Sequence, residues 1–170
     1  LMVNSILDLH PRDWPQYFVD LGHKKFYGKI AARWVFQRGI YDWAQMTDLP
    51  AALREQLAST PLLDTELIKA SHAEDGARKV LIKLVDDSLV EAVCMPGTKG
   101  QTICISTQVG CAVQCGFCAS GMEGLKRNLT QSEVLQQAFW MRREFGDFHR
   151  IVVMGMGEVG RLDGWWNNEE

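Results

Sequence analysis

Two rhythms of apolar residues divide the chain. Up to about residue 60 the spacing is helical. Pro11 and Pro15 suit the opening turn of a helix that runs to about Leu21, and Gly22 supplies the stop. A second helix is predicted from Lys25 to Arg38, with Phe26, Ile30 and Trp34 as an i, i+4, i+8 stripe and Gly39 past its end. Thr47 or Asp48 caps a third helix, with Pro50 in its first turn and Leu53 and Leu57 on one face. The pattern predicts a small helical domain over residues 1–75.

Near Gly76 the period shortens to two. In RKVLIKLVD, Val80, Ile82 and Leu84 alternate with Lys79, Lys83 and Asp86, as in a half-buried strand. Asp86-Asp87-Ser88 is a turn, SLVEAVCMP the returning strand, and QTICIST, residues 101–107, a third short strand. Thr130 and Glu133 form a capping box for a helix to about Phe145, with Val134, Leu135, Ala138 and Phe139 facing inward. Ile151 to Met154 then reads as a buried strand leading into the glycine loop GMGE. Residues 76–170 are therefore a β-hairpin followed by a strand–loop–helix–strand unit, and that βαβ unit implies a parallel sheet. The fold class is α+β followed by α/β.

Composition narrows the setting. A chain of 170 residues with 46% hydrophobic content can build one good core or two small ones. A net charge of −3 gives no global basic field, so any nucleic-acid surface is local. No apolar run reaches the length of a membrane span, and the first residues lack the basic and apolar regions of a secretory signal. One local surface stands out. Between His23 and Tyr41 lie Lys24, Lys25, Lys29, Arg33 and Arg38 with no acidic residue, interleaved with Phe26, Tyr27, Trp34, Phe36 and Tyr41. Lys25, Lys29 and Arg33 share one helix face, suited equally to phosphate contact and to plain solvation.

The five cysteines are an odd and uneven set, unlike a secreted disulfide framework, and fit the reducing cytosol. Three of them form C-x3-C-x2-C: Cys111, Cys115 and Cys118. Structural zinc wants four ligands, commonly in two C-x2-C pairs, and no second pair exists. A four-iron cluster held by three thiolates keeps one iron open to the amino and carboxylate groups of a small molecule. The alternatives are buried thiols or an incidental zinc loop. Cys94 has no motif partner and reads as structural. Glu91, between Val90 and Ala92, is either a desolvated carboxylate suited to act as a base or a solvent-facing strand residue.

The stretch CISTQVGCAVQCGFCASGMEGLKRNLT, with RIVVMGMGE after the helix, resembles the radical S-adenosylmethionine enzymes that methylate adenine C2 of 23S ribosomal RNA and transfer RNA. Relatives that methylate C8 share this skeleton. The resemblance runs to Glu158 and implies the opening of a (β/α) barrel behind an N-terminal helical domain. It implies that Cys111, Cys115 and Cys118 hold a [4Fe-4S] cluster, and that Gly157 and Glu158 meet the amino group of S-adenosylmethionine. Reduction of the cluster would cleave the sulfonium to a 5′-deoxyadenosyl radical. That radical would act on a methyl group carried by a cysteine in the C-terminal part of such enzymes. By the same resemblance Glu91 is the proton acceptor, and Cys104 helps resolve the enzyme–RNA adduct by disulfide formation. Lys126 and Arg127, just past the cysteine loop, are further candidates for phosphate contact. The implied partners are 23S ribosomal RNA, transfer RNA and an electron donor such as flavodoxin, in the cytoplasm and without a membrane.

The pattern departs at position 159, where Val replaces the family's Pro, and GRLDGWWNNEE does not read as the next helix. The expectation is the N-terminal half of such an enzyme, truncated and inactive alone. A non-catalytic iron–sulfur or RNA-binding fragment is the alternative, and an electron carrier the third, since carriers normally use four cysteines per cluster.

Overall fold

The computed structural model describes residues 5–161, which form two compact units divided between Asp64 and Thr65. The reading of the tail from position 162 onward falls outside the described residues.

The first unit is helical: α1 (Trp14–Asp20), α2 (Phe26–Ala32) and α3 (Ala51–Leu57). A π-helical turn over Arg33–Gln37 extends α2. Trp14, Phe18, Val35, Met46, Leu53 and Leu57 fill the core. The inward face of α2 is not the stripe of large residues expected from the sequence. Gly28, Ala31 and Val35 are buried, whereas Phe26 is 45% exposed. The reason is the close approach of α1. A Cβ on Gly28 would stand 2.6 Å from the backbone nitrogen of Pro15, so only the small-residue face of α2 can meet that helix. Trp34 is half-buried instead. Its indole N–H donates to Asp48 at 3.1 Å, and the Arg38 guanidinium lies 4.2 Å from its ring.

The second unit is built on a five-stranded sheet. Its strands are β1 (Glu66–His72), β2 (Arg78–Lys83), β3 (Leu89–Met95), β4 (Thr102–Cys104) and β7 (Arg150–Val152), in that spatial order. Pairing is antiparallel from β1 to β4 and parallel between β4 and β7. The short strands β5 (Gln108–Gly110) and β6 (Leu125–Asn128) form a separate antiparallel ribbon, and α4 (Gln131–Phe145) crosses over to β7. The expected parallel βαβ crossover is thus present. Three strands were not expected. β1 exposes residues on both faces, so it lacks an alternating pattern, and β5 and β6, of three and four residues, are too short to carry one.

One sheet face makes the core, through Val80, Ile82, Val90, Ala92, Cys94 and Ile103, with Ala138 and Met141 of α4. Cys94 is structural, its thiol donating to Gln101 Oε1 at 2.8 Å. The predicted capping box is formed by Thr130 and Glu133. The buried face of α4 differs from expectation: Gln136 and Gln137 are fully buried, while Val134 and Leu135 are only half-buried. β7 is not the buried strand predicted. It lies at the sheet edge, and Ile151, Val153 and Met154 are 45%, 43% and 72% exposed.

Candidate functional site

Strand alternation sorts the candidate catalytic side chains. Cys104 on β4 stands opposite Val93 on β3, and Glu91 lies two residues along the same strand. Both side chains therefore project from the sheet face opposite the core. On that face Lys69, Ser71, Lys79, Leu81 and Glu91 line a cleft of about 230 Å³. Glu91 is not the desolvated carboxylate that its apolar neighbours suggested. Val90 and Ala92 point into the core, and Glu91 is 40% exposed with Lys79 Nζ 2.8 Å from its carboxylate.

Beyond β4 the chain enters a buried polar hub. The Ser106 peptide is held from both sides by one amide: its N–H donates to Gln137 Oε1 at 2.8 Å, and its carbonyl accepts from Gln137 Nε2 at 2.9 Å. The Ser106 hydroxyl donates to the Glu91 carbonyl at 2.8 Å and accepts the Met156 N–H at 2.9 Å. Two further backbone N–H groups, from Thr107 and Gln108, converge on the Met156 carbonyl at 2.8 and 3.2 Å. Buried amides in this position satisfy main-chain groups where strand pairing has stopped.

These bonds seat the loop of residues 155–158 past the carboxyl end of the parallel pair β4–β7, where open α/β sheets take their ligands. Gly157, at φ +113°, sits so near the preceding segment that a Cβ would come within 2.5 Å of Thr107 Oγ1. That hydroxyl is buried and unpaired within the described residues. Glu158 is exposed, and its carboxylate accepts the Gly160 N–H at 3.1 Å.

The cysteine loop is the connection between β5 and β6. The Cys111 N–H donates to the Gly124 carbonyl at 3.1 Å, and the Cys118 N–H to the Cys115 carbonyl at 2.9 Å. All three thiols are free and half-buried, and Phe117 between them is 94% exposed. Among the described residues no three His, Cys, Asp or Glu side chains converge as a metal site. The donor set nevertheless fits an iron–sulfur cluster with one open iron: three soft thiols on one short loop, with no acidic residue or histidine between them. A cleft of about 520 Å³ runs beside this loop, lined in part by Gly110, Ala119, Ser120, Met122 and Met156. Ala119, Ser120 and Met122 after the last thiol and Met156 of the 155–158 loop border this cleft, whose lining does not include the three thiols, Gly157 or Glu158.

Arg127 on β6 anchors the ribbon. Its guanidinium grips Glu133 through two 2.8 Å bonds and reaches Asp86 at 2.8 Å. The hydrogen bond from Arg127 holds the Asp86 carboxyl well below the usual carboxylate range, and Glu133 raises the guanidinium further. Arg127 is thus occupied by protein carboxylates rather than free for phosphate. Lys126 pairs with Glu123 at 3.1 Å on the surface.

Residues 4–62 match the family described as the ribosomal RNA large subunit methyltransferase N-terminal domain. A probable dual-specificity RNA methyltransferase RlmN of Symbiobacterium thermophilum is 44% identical over 145 residues, 82% of this chain and 39% of that protein. The dual-specificity RNA methyltransferase RlmN of Halorhodospira halophila is 41% identical over 145 residues, 84% of this chain and 40% of its own length. The crystal structure of a radical SAM methyltransferase from Sphaerobacter thermophilus superposes with a TM-score of 0.83 at 36% identity, covering 91% of this chain and 47% of that one. Over the part it spans, the chain is similar to the RlmN methyltransferases. It spans about two fifths of the length of the curated relatives it matches.

The structure groups the sequence-predicted residues into four sets. Glu91 and Cys104 share a sheet face. Cys111, Cys115 and Cys118 share the ribbon loop, while Gly157 and Glu158 lie in the loop after β7, next to Met156, which lines the cleft. Lys25, at the N-cap of α2, Lys29 on α2 and Arg33 in its extension are all exposed, and none forms an ion pair among the described residues. The supporting residues Ser106, Gln108, Asn128 and Gln137 were not singled out from the sequence. Their signal was there: polar side chains inside the CISTQVGC stretch, and paired glutamines in the apolar stretch of a helix.

Proposed function

We propose that this chain carries the cofactor loops and the first catalytic residues of an RNA adenine C2 methyltransferase of the radical S-adenosylmethionine class, acting on 23S ribosomal RNA and transfer RNA. The observation that carries the proposal is the loop of three free thiols, Cys111, Cys115 and Cys118, on the ribbon to which the Ser106–Gln108 hub ties the loop of Gly157 and Glu158. Cys111, Cys115 and Cys118 would hold a [4Fe-4S] cluster as thiolates. When bound, that cluster together with S-adenosylmethionine supplies hydrogen abstraction by reductive cleavage of the sulfonium. Glu158 offers a carboxylate, and the turn at Gly157 offers backbone groups, to the amino group of S-adenosylmethionine. Glu91 holds its carboxylate on the face it shares with Cys104, beside the Lys79 ammonium, where it can take a proton from the modified base. Cys104 presents a free, half-buried thiol for resolving a covalent adduct. The unpaired cations Lys25, Lys29 and Arg33 provide phosphate contacts to the RNA.

Free thiols and a reducible cluster suit the cytoplasm, with a low-potential donor of the flavodoxin kind. Among the described residues no helix is long and apolar enough to cross a membrane. The test is anaerobic reconstitution with iron and sulfide. The chain should take up about four of each, as a four-iron cluster requires, and Cys115→Ala should take up neither. Stoichiometric zinc without sulfide in the wild type would overturn the proposal.

A further inference from the structure

We infer that Gln108 is a positioning residue that ties the Gly157–Glu158 loop to the ribbon carrying the cluster cysteines; the functional meaning rests on the proposal above. Gln108 is fully buried. Its side-chain oxygen accepts the Glu158 N–H at 3.2 Å, and its side-chain nitrogen donates to Asn128 Oδ1 at 2.9 Å. Asn128 lies directly opposite Gln108 across the β5–β6 ribbon. One side chain therefore fastens the loop after β7 to both strands from which the cysteine loop springs.

Only a long neutral amide does this. It supplies one acceptor and one donor in opposite directions from a site where a carboxylate would bury a charge and an aliphatic would leave the Glu158 N–H and Asn128 unpaired. The backbone bonds to Met156 stop two residues short of Glu158, so the Gln108 side chain is what reaches it. A ligand whose amino acid end sits between the open iron and Glu158 must meet both at once. Displacement of a reacting group by about 1 Å can cost about 100-fold in rate. Gln136 is the internal control. It is equally buried in α4, and it bonds Thr65 at 2.8 Å and Ser132 at 3.0 Å.

The experiment uses the full chain in four variants: Gln108→Met, Asn128→Leu, Asn128→Asp and Gln136→Met. In the cofactor-free protein, hydrogen exchange is read at the Glu158 amide. Loss of one hydrogen bond predicts exchange about ten-fold faster in Gln108→Met. Asn128→Leu cuts the same tether from its half-buried end and should move in the same direction. Asn128→Asp keeps an acceptor for the Gln108 nitrogen and should match the wild type, as should Gln136→Met at this amide. After reconstitution, iron and sulfide content should be equal in Gln108→Met and wild type. The S-adenosylmethionine concentration that changes the paramagnetic resonance spectrum of the reduced cluster should rise about ten-fold in the variant. Unchanged exchange and an unchanged titration in both tether variants, or changes no larger than in Gln136→Met, would overturn the inference. If the wild type takes up no iron and sulfide, the proposed function fails, and the exchange comparison still decides the tether.

Discussion

Replacing Arg127 by Met should loosen the ribbon and the head of α4 together. The substitution keeps an unbranched chain and removes three hydrogen bonds to carboxylates. Glu133 is 11% exposed, so its loss of the guanidinium strands a largely buried charge. Unpairing a fully buried ion costs about 3–5 kcal/mol. Here Arg127 is 32% exposed and Glu133 keeps its bond to the Thr130 N–H, which brings the expected cost down to about 2 kcal/mol. Asp86 is 46% exposed, and solvent screening holds its share below about 1 kcal/mol. The measurement is urea unfolding followed by helix circular dichroism, at neutral pH and again in acid. Because Arg127 depresses the Asp86 carboxyl in the folded state, that share of stability is present above the usual carboxylate value of about 4 and is lost as pH falls toward the folded-state value. Arg127→Met should therefore be destabilised at neutral pH by about 2–3 kcal/mol and lose less on acidification than the wild type. A change below about 0.5 kcal/mol, the size of an ordinary surface substitution, would refute the buried clamp.

Two other outcomes follow from the first unit. Changing Lys25, Lys29 and Arg33 together to Gln should weaken binding of a ribosomal or transfer RNA fragment and lower the salt slope by about 2, since each phosphate contact contributes about 0.7–0.9; an unchanged slope would remove this face from the interface. Gly28→Ala places a Cβ against the Pro15 backbone at 2.6 Å, so thermal unfolding of the helical unit should shift down by an amount typical of overpacking, about 1–3 kcal/mol, and an equal or higher melting temperature would show that the helices separate freely.

The strands β2 and β3, the capping box of α4 and the cysteine and glycine loops were legible because each has a short-range chemical cause. Alternation, a reciprocal Thr–Glu cap and clustered thiols are all written within a few residues. The inward face of α2 was not, because it is selected by the approach of α1 to Gly28, a contact that apolar periodicity does not encode. β1 escaped notice because an edge strand with both faces wet has no reason to alternate. The Glu91 environment turned on which face of β3 met α4. The residues on either side of it are apolar in both cases, and only the sheet's packing decides between them. Arg127 illustrates a related limit: a cation beside a candidate active site reads as a phosphate ligand until Asp86 and Glu133 are brought to it from two other elements.

The double bond between Gln137 and the Ser106 peptide also works as a proofreading device for strand alignment. β4 has only three residues, too few to fix its own alignment by side-chain burial. Sliding it by one position along β3 would turn Cys104 into the core and bring Ile103 out beside Glu91. Such a slip would also carry Ser106 away from Gln137, leaving a buried peptide N–H, its carbonyl and the Gln137 side-chain oxygen without these partners. Each orphaned group costs about 1–3 kcal/mol, enough to empty the misaligned state. A polar side chain in the heart of a helix face thus sacrifices some hydrophobic contact and in return makes the wrong alignment of Cys104 energetically inaccessible.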